Sequence, residues 1–232
     1  MPWGVLVAGP PGSGKSTYCA AAAELLRRHH GRPCAIVNLD FANEAPRGGG
    51  GGGGGAESSA VALDVSWLIR LEDVMEAHGL GPNGGLLFCM DHLEAHADWL
   101  LEQLRPLADA GNYLIFDTPG QAELYSCHEG LARLVARIQR ELDLQLASLH
   151  LVDSTLCASP FTFVAASLLS LQAMVRLELP HLNVLTKCDL RRELEGADGA
   201  PREFPRWRRR GGGGGAFASG ARARASSAHD DT

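Results

Sequence analysis

The strongest constraint on how this chain can fold lies near its start. There the apolar run Gly4-Val5-Leu6-Val7-Ala8 passes directly into Gly9-Pro10-Pro11-Gly12-Ser13-Gly14-Lys15-Ser16. Consecutive apolar residues suit a strand buried on both faces, as in a parallel sheet. The segment after it fits G-x-x-x-x-G-K-[ST]. Its glycines let backbone N–H groups converge on a phosphate, and the next helix adds the positive end of its dipole. From Ser16 to about His29, apolar residues at Tyr18, Ala21, Ala22, Leu25 and Leu26 fall at helical spacing. With a strand before and a helix after, the pattern predicts a nucleoside-triphosphate site. In it Lys15 reaches the β- and γ-phosphate oxygens and the Ser16 hydroxyl ligates Mg²⁺. Gly12, Ser13, Gly14 and Thr17 complete the cradle.

The alternation continues along the chain. Ala35–Leu39, Asn112–Phe116, Leu149–Val152 and Leu182–Leu185 read as further strands, with helices near 66–78, 86–109, 127–141 and 160–178. This predicts an α/β fold of the P-loop NTPase type, a mostly parallel central sheet with helices on both faces. Ligands of such sheets bind beyond the carboxyl ends of the strands. The folded domain is expected over residues 1–190. Gly48–Gly55 is an unbroken glycine run, so 46–59 is expected to be a disordered insert. Residues 191–232 form an Arg-, Gly- and Ala-rich segment without legible periodicity, expected to be a disordered tail.

Charge narrows the function classes. The net charge is −6, divided between −9 over residues 1–190 and +3 over 191–232, and an acidic body argues against direct nucleic-acid binding. Of 21 basic residues only Lys15 and Lys187 are lysines, each inside a motif where a compact ammonium on a flexible stem has work that a planar guanidinium does badly. The six cysteines are scattered singly with no C-x-x-C pair, a spacing that argues against a disulfide framework or a zinc site and suits reduced, buried thiols. No run reaches the roughly 18 apolar residues of a membrane span. Met1-Pro2-Trp3-Gly4 enters a strand with no leader pattern. The expectation is a cytoplasmic protein, compatible with shuttling to the nucleus.

Three motifs sit at the ends of later strands. Asp117-Thr118-Pro119-Gly120-Gln121 puts an acid at the Walker-B position, a glycine N–H within approach of the γ-phosphate, and a glutamine where small GTPases orient the attacking water. Thr186-Lys187-Cys188-Asp189 suits guanine: Asp189 can accept from the base N1–H and exocyclic amine, and the Lys187 stem can lie along the purine face. Gly81-Pro82-Asn83-Gly84-Gly85 reads locally as a turn. Asp91-His92-Leu93-Glu94-Ala95-His96 has two histidines at metal-ligand spacing, but no third ligand is evident and a solvated helix face fits better. His128, His150 and His181 show no partner pattern.

Together, and in this order, the phosphate loop, Asn38-Leu39-Asp40, Gly81-Pro82-Asn83, Asp117–Gln121 and Thr186–Asp189 resemble the GPN-loop GTPases, most closely those of the eukaryotic type-2 branch, over residues 4–47 and 60–190. The resemblance implies GTP/GDP and Mg²⁺ as ligands and a homodimer, or a heterodimer with another GPN-loop GTPase. In that dimer Asn83 enters the partner's site. It also implies catalytic positions at Asp40, Gln121, Glu123 and Asn83, and metal contacts from Ser16, Asp40 and Asp117. The family role it implies is assembly and nuclear import of RNA polymerase II-type complexes, with polymerase subunits or assembly chaperones as partners. Phe41 stands where the family has proline, and nothing after Leu190 resembles the rest of the family's chain. Two alternatives stay open: a truncated, non-catalytic interaction protein, and a P-loop small-molecule kinase.

Overall fold

The computed structural model describes residues 1–43, 61–121, 124 and 128–190. The expected insert at 46–59, the tail at 191–232, Glu123 and Cys127 lie outside them. The strands are β1 (Trp3–Ala8), β2 (Cys34–Asn38), β3 (Val61–Asp64), β4 (Tyr113–Asp117), β5 (Gln145–Asp153) and β6 (His181–Thr186). They form one sheet in the order β3-β2-β4-β1-β5-β6, and every pairing is parallel. The expected parallel P-loop architecture is therefore present. It includes an edge strand, β3, that the sequence pattern did not suggest.

The helices are α1 (Lys15–His30), α2 (Leu71–His78), α3 (Pro82–Ala95), α4 (Ala97–Asp109), α5 (Gly130–Leu142) and α6 (Pro160–Leu177). Gly31, in the left-handed region, ends α1 by donating its N–H to Leu26 O. The single helix expected over 86–109 starts earlier, at Pro82, and is broken at His96 (φ −107°, ψ 30°) into two. Gly81-Pro82-Asn83 is thus not a free turn. Gly81 caps α3 and Pro82 occupies its first turn, where a missing N–H costs nothing.

Two apolar layers flank the sheet. On one face Val7, Ile36, Ile115, Leu149 and Leu151 meet Cys19 and Ala23 of α1. On the other, Leu6, Val37, Leu114, Phe116 and Leu146 pack under residues of α2 to α6, including Val74, Leu86, Leu100, Leu134 and Ala173. Phe41, which stands where the resembled family has proline, is fully buried in this second layer and anchors the segment after β2.

Helix α6 departs from expectation. Only Ser170, Ala173 and Leu177 are buried, while Phe161, Val164, Leu168, Leu171 and Val175 are exposed. By length and composition alone it is apolar enough to cross a membrane, and only 17% of it is buried. The expectation that no stretch reaches that apolarity therefore fails here. Serines, a threonine and one arginine interrupt the run without lowering its average enough. Cysteines differ too: Cys19 and Cys89 are buried as expected, but Cys188 is exposed.

Candidate functional site

The order β3-β2-β4-β1-β5-β6 reverses direction at β1, whose neighbours β4 and β5 come from later in the chain. The crevice beyond its carboxyl end is where such sheets hold ligands. Residues Gly9 to Gly14 emerge there and turn into α1, with Ser13 N–H donating to Pro10 O (3.2 Å). Gly12 and Gly14 sit at φ 73° and 93°, and a Cβ built on either meets nothing within 4 Å. The loop is an open cradle of backbone amides.

Lys15 is 7% exposed and folds back over this loop, its Nζ donating to Pro10 O (3.2 Å). Burial lowers its pKa, opposed by the carboxylates of Asp117 and Asp40. Those two acids come from the ends of β4 and β2. Burial raises both of their pKa values, against a bond from Ser16 for Asp117 and one from the Ala42 N–H for Asp40. An ammonium, two carboxylates and a hydroxyl thus share a partly dehydrated site in which each charge is disfavoured by burial. Such sites are functional candidates.

Several polar atoms here are left over. Asp117 Oδ1, Ser13 Oγ and Gln121 Oε1 are buried and make no hydrogen bond. Such orphans are rare in folded proteins and mark places where a ligand, ion or water belongs. Gly120 is tightly hemmed in, because a Cβ there would lie 2.8 Å from Lys15 Nζ and 2.9 Å from the Pro11 backbone. Thr118 pins this strand end to β1, its Oγ1 donating to Val7 O (2.8 Å). The donor set fits Mg²⁺, which prefers oxygen and usually takes one or two carboxylates together with phosphate oxygens.

The residues expected at the sheet's carboxyl end are thus brought together: Gly12, Ser13, Gly14, Lys15, Ser16, Asp40, Asp117, Gly120 and Gln121. Thr17 is exposed on the first turn of α1. At the far side Thr186 Oγ1 donates to Ser13 O (2.9 Å), tying β6 to the phosphate loop, and Lys187 and Asp189 follow at the strand's end. Asn83 is exposed at the start of α3, a helix packed against α2, α4 and α5.

Some participants carry no local signal. Asn38 Nδ2 donates to Asp64 Oδ2 (3.0 Å) and to Asn43 O (2.7 Å), and its Oδ1 accepts from the Asp40 N–H (3.0 Å). Asp64, buried at the end of β3, also accepts from the Ser66 N–H (2.8 Å). This network fixes the loop that carries Asp40. Asn43 Nδ2 in turn donates to Ser16 Oγ (3.1 Å). The sequence carries no pattern that pairs these partners, since they meet across β2 and β3 and β3 is too short to show a period. Elsewhere, His92 and His96 are stacked at 4.1 Å rather than splayed as ligands. His128 pairs with Asp91 (2.8 Å), and His150 stacks on His181 (5.7 Å), so those histidines do have partners.

Cradle, buried lysine and strand-end carboxylates define a P-loop nucleotide-binding protein of the α/β class. The comparisons refine this. A family model described as "Conserved hypothetical ATP binding protein" matches residues 7–204. The chain is 45% identical over 190 residues to Arabidopsis thaliana GPN-loop GTPase QQT1, covering 82% of this chain and 59% of that one. It is 44% identical over 188 residues to Danio rerio GPN-loop GTPase 2, covering 81% and 56%. A Pyrococcus abyssi GTPase solved in its apo form superimposes with a TM-score of 0.67 at 26% identity, over 84% of this chain and 71% of that one. The chain belongs to the GPN-loop GTPase family. It spans a little under three-fifths of the length of these curated relatives.

Proposed function

We propose that this chain binds GTP and GDP with Mg²⁺ and hydrolyses GTP slowly, as a dimeric switch. The observation that carries this reading is the buried Lys15 between Asp117 and Asp40, with unsatisfied Asp117 Oδ1, Ser13 Oγ and Gln121 Oε1 around an open glycine cradle. Lys15 and the loop amides neutralise phosphate charge. Gln121 and Asp40 orient water, which suits phosphoryl transfer, where positioning and electrostatics do most of the catalysis. Ser16, Asp117 and Asp40 are the residues that would hold Mg²⁺, which when bound supplies charge neutralisation between the phosphates.

Family membership supports the rest of the reading. Dimerisation, homotypic or with another GPN-loop GTPase, brings the exposed Asn83 of each protomer to its partner's nucleotide. The cellular role is assembly and nuclear import of RNA polymerase II-type complexes, carried out in the cytoplasm with passage to the nucleus, through contacts with polymerase subunits or their chaperones.

Calorimetry with GTP, GDP and ADP in the presence of Mg²⁺ tests the site. Lys15→Ala is expected to abolish nucleotide binding, while Gln121→Ala keeps binding and slows turnover by roughly 10²-fold, the scale of losing one water-positioning or charge-stabilising group. Equal GTP binding by the wild type and Lys15→Ala would sink the assignment.

A further inference from the structure

The carboxyl ends of β5 and β6 are joined by a set of bonds that none of the motifs accounts for. Asp153, the last residue of β5, uses both carboxylate oxygens. Oδ2 takes Lys187 Nζ at 2.8 Å, and Oδ1 accepts from the Thr155 N–H (2.9 Å) and the Thr155 hydroxyl (2.8 Å). The next residue, Ser154, is buried and donates its hydroxyl to Lys187 O at 2.9 Å. Lys187 is therefore gripped at both ends, its peptide by Ser154 and its ammonium by Asp153. Its backbone lies at φ 54°, a left-handed conformation that a lysine rarely adopts and that needs outside support. Thr186, just before it, is anchored to the phosphate loop through Ser13 O.

We infer that Asp153 is a positioning residue for the base subsite, holding the Lys187 stem extended across the sheet edge so that its methylenes present a flat apolar surface to a purine. This rests on the guanine reading of Thr186–Asp189. An unrestrained lysine side chain would lose that orientation to rotamer freedom, and ordering it on binding would weaken the ligand. At this exposure, 37% for the lysine side chain and 20% for the aspartate, the ion pair adds little to fold stability. Its consequence is orientation. Burial pushes the Asp153 carboxyl up, but the bonds from Lys187 and Thr155 outweigh it and hold the group below the usual carboxylate range. The carboxylate stays ionised, and the pair intact, until the pH falls through that lowered value.

The test is a double-mutant cycle read by calorimetry with GDP and ADP, using wild type, Asp153→Asn, Lys187→Met and the double variant. Asparagine keeps the oxygen that accepts from Thr155 and removes only the charge facing Lys187. Asp153→Asn is expected to weaken GDP about fivefold, the upper end of what a partly exposed pair supplies, and to weaken whatever ADP binding exists by the same factor, because either purine would lie against the same stem. In the Lys187→Met background the same substitution is expected to change nothing, because its partner is gone. A purely structural role would persist in that background. Overturning results are an unchanged GDP affinity in Asp153→Asn, or an equal loss with and without Lys187. If wild type binds GDP and ADP alike, the guanine reading falls and this inference with it. Should Asp153→Asn fail to fold, Asp153→Glu, which keeps the charge but displaces it, enters the same cycle with the same expectations.

Discussion

Lys15, Asp40 and Asp117 each carry a charge that burial disfavours, and the site tolerates them because they face one another. The Asp117 carboxyl lies above its usual range, so the folded chain holds that proton more readily than the unfolded chain does. Its contribution to stability rises as the pH falls through the folded value and is unfavourable at neutral pH. Asp117→Asn is therefore expected to raise the nucleotide-free melting temperature by a few degrees, the shift of about 1 kcal/mol in a domain of this size, while abolishing the further rise that the proposed function expects from added GDP and Mg²⁺. Scanning calorimetry with and without nucleotide reads both; a lower melting temperature would contradict it. His150 behaves oppositely. Burial, with His181 and Lys15 beside it, pulls its pKa down to about 4. An unfolded histidine takes up a proton near pH 6.5 that the folded one refuses until about pH 4. His150 thus favours the fold above pH 6.5 and loses that contribution between there and about 4. His150→Leu is expected to flatten urea-denaturation stability across this window by on the order of 2 kcal/mol relative to wild type.

At the scale of elements, the long apolar strands were legible and the short or interrupted pieces were not. β1, β2 and β4 announce themselves by unbroken apolar runs. β3 is four residues, Val61-Ala62-Leu63-Asp64, too few to establish a period in the sequence. α3 and α4 read as one helix because His96, where they part, is neither glycine nor proline. The start of α3 reads as a turn in the sequence, since Gly-Pro-Asn suits a turn and a helix start equally. That start is fixed by a close approach: a Cβ on Gly85 would lie 2.8 Å from Leu71 Cδ1 and 3.0 Å from Met75 Cγ. Gly85→Ala should force the Leu71 and Met75 side chains of α2 to shift and cost about 1 kcal/mol, the low end of the overpacking penalty because no backbone atom is met. Urea denaturation would show it as a lower midpoint at unchanged slope.

For the whole molecule, the phosphate side of the site was readable because its residues are consecutive and sit where strands end. The supporting contacts were not, because Asn38–Asp64, Asn43–Ser16 and Asp153–Lys187 join residues 26 or more positions apart with no pattern linking them. The surface was also unreadable in part, since a helix like α6 has the composition of a core helix yet leaves most of its apolar side chains in solvent. An apolar face of that kind favours association. Replacing Phe161, Leu168 and Val175 with serine is expected to reduce concentration-dependent self-association in sedimentation experiments. Nucleotide affinity should stay unchanged, with stability within roughly 0.5 kcal/mol per site, as for exposed positions generally.

The strand order also has a kinetic meaning. β1, the first strand made, finds its two neighbours only after residues 113–117 and 145–153 exist, and no hairpin gives it a local partner. Closing such long loops before any reward makes parallel sheets slow to form. The phosphate loop hangs from the end of that strand, so its cradle is completed late in folding, and nucleotide recognises only the finished product. Bound nucleotide should therefore slow unfolding without speeding refolding, and the newly synthesised chain depends on reaching completion before its exposed strands find other partners.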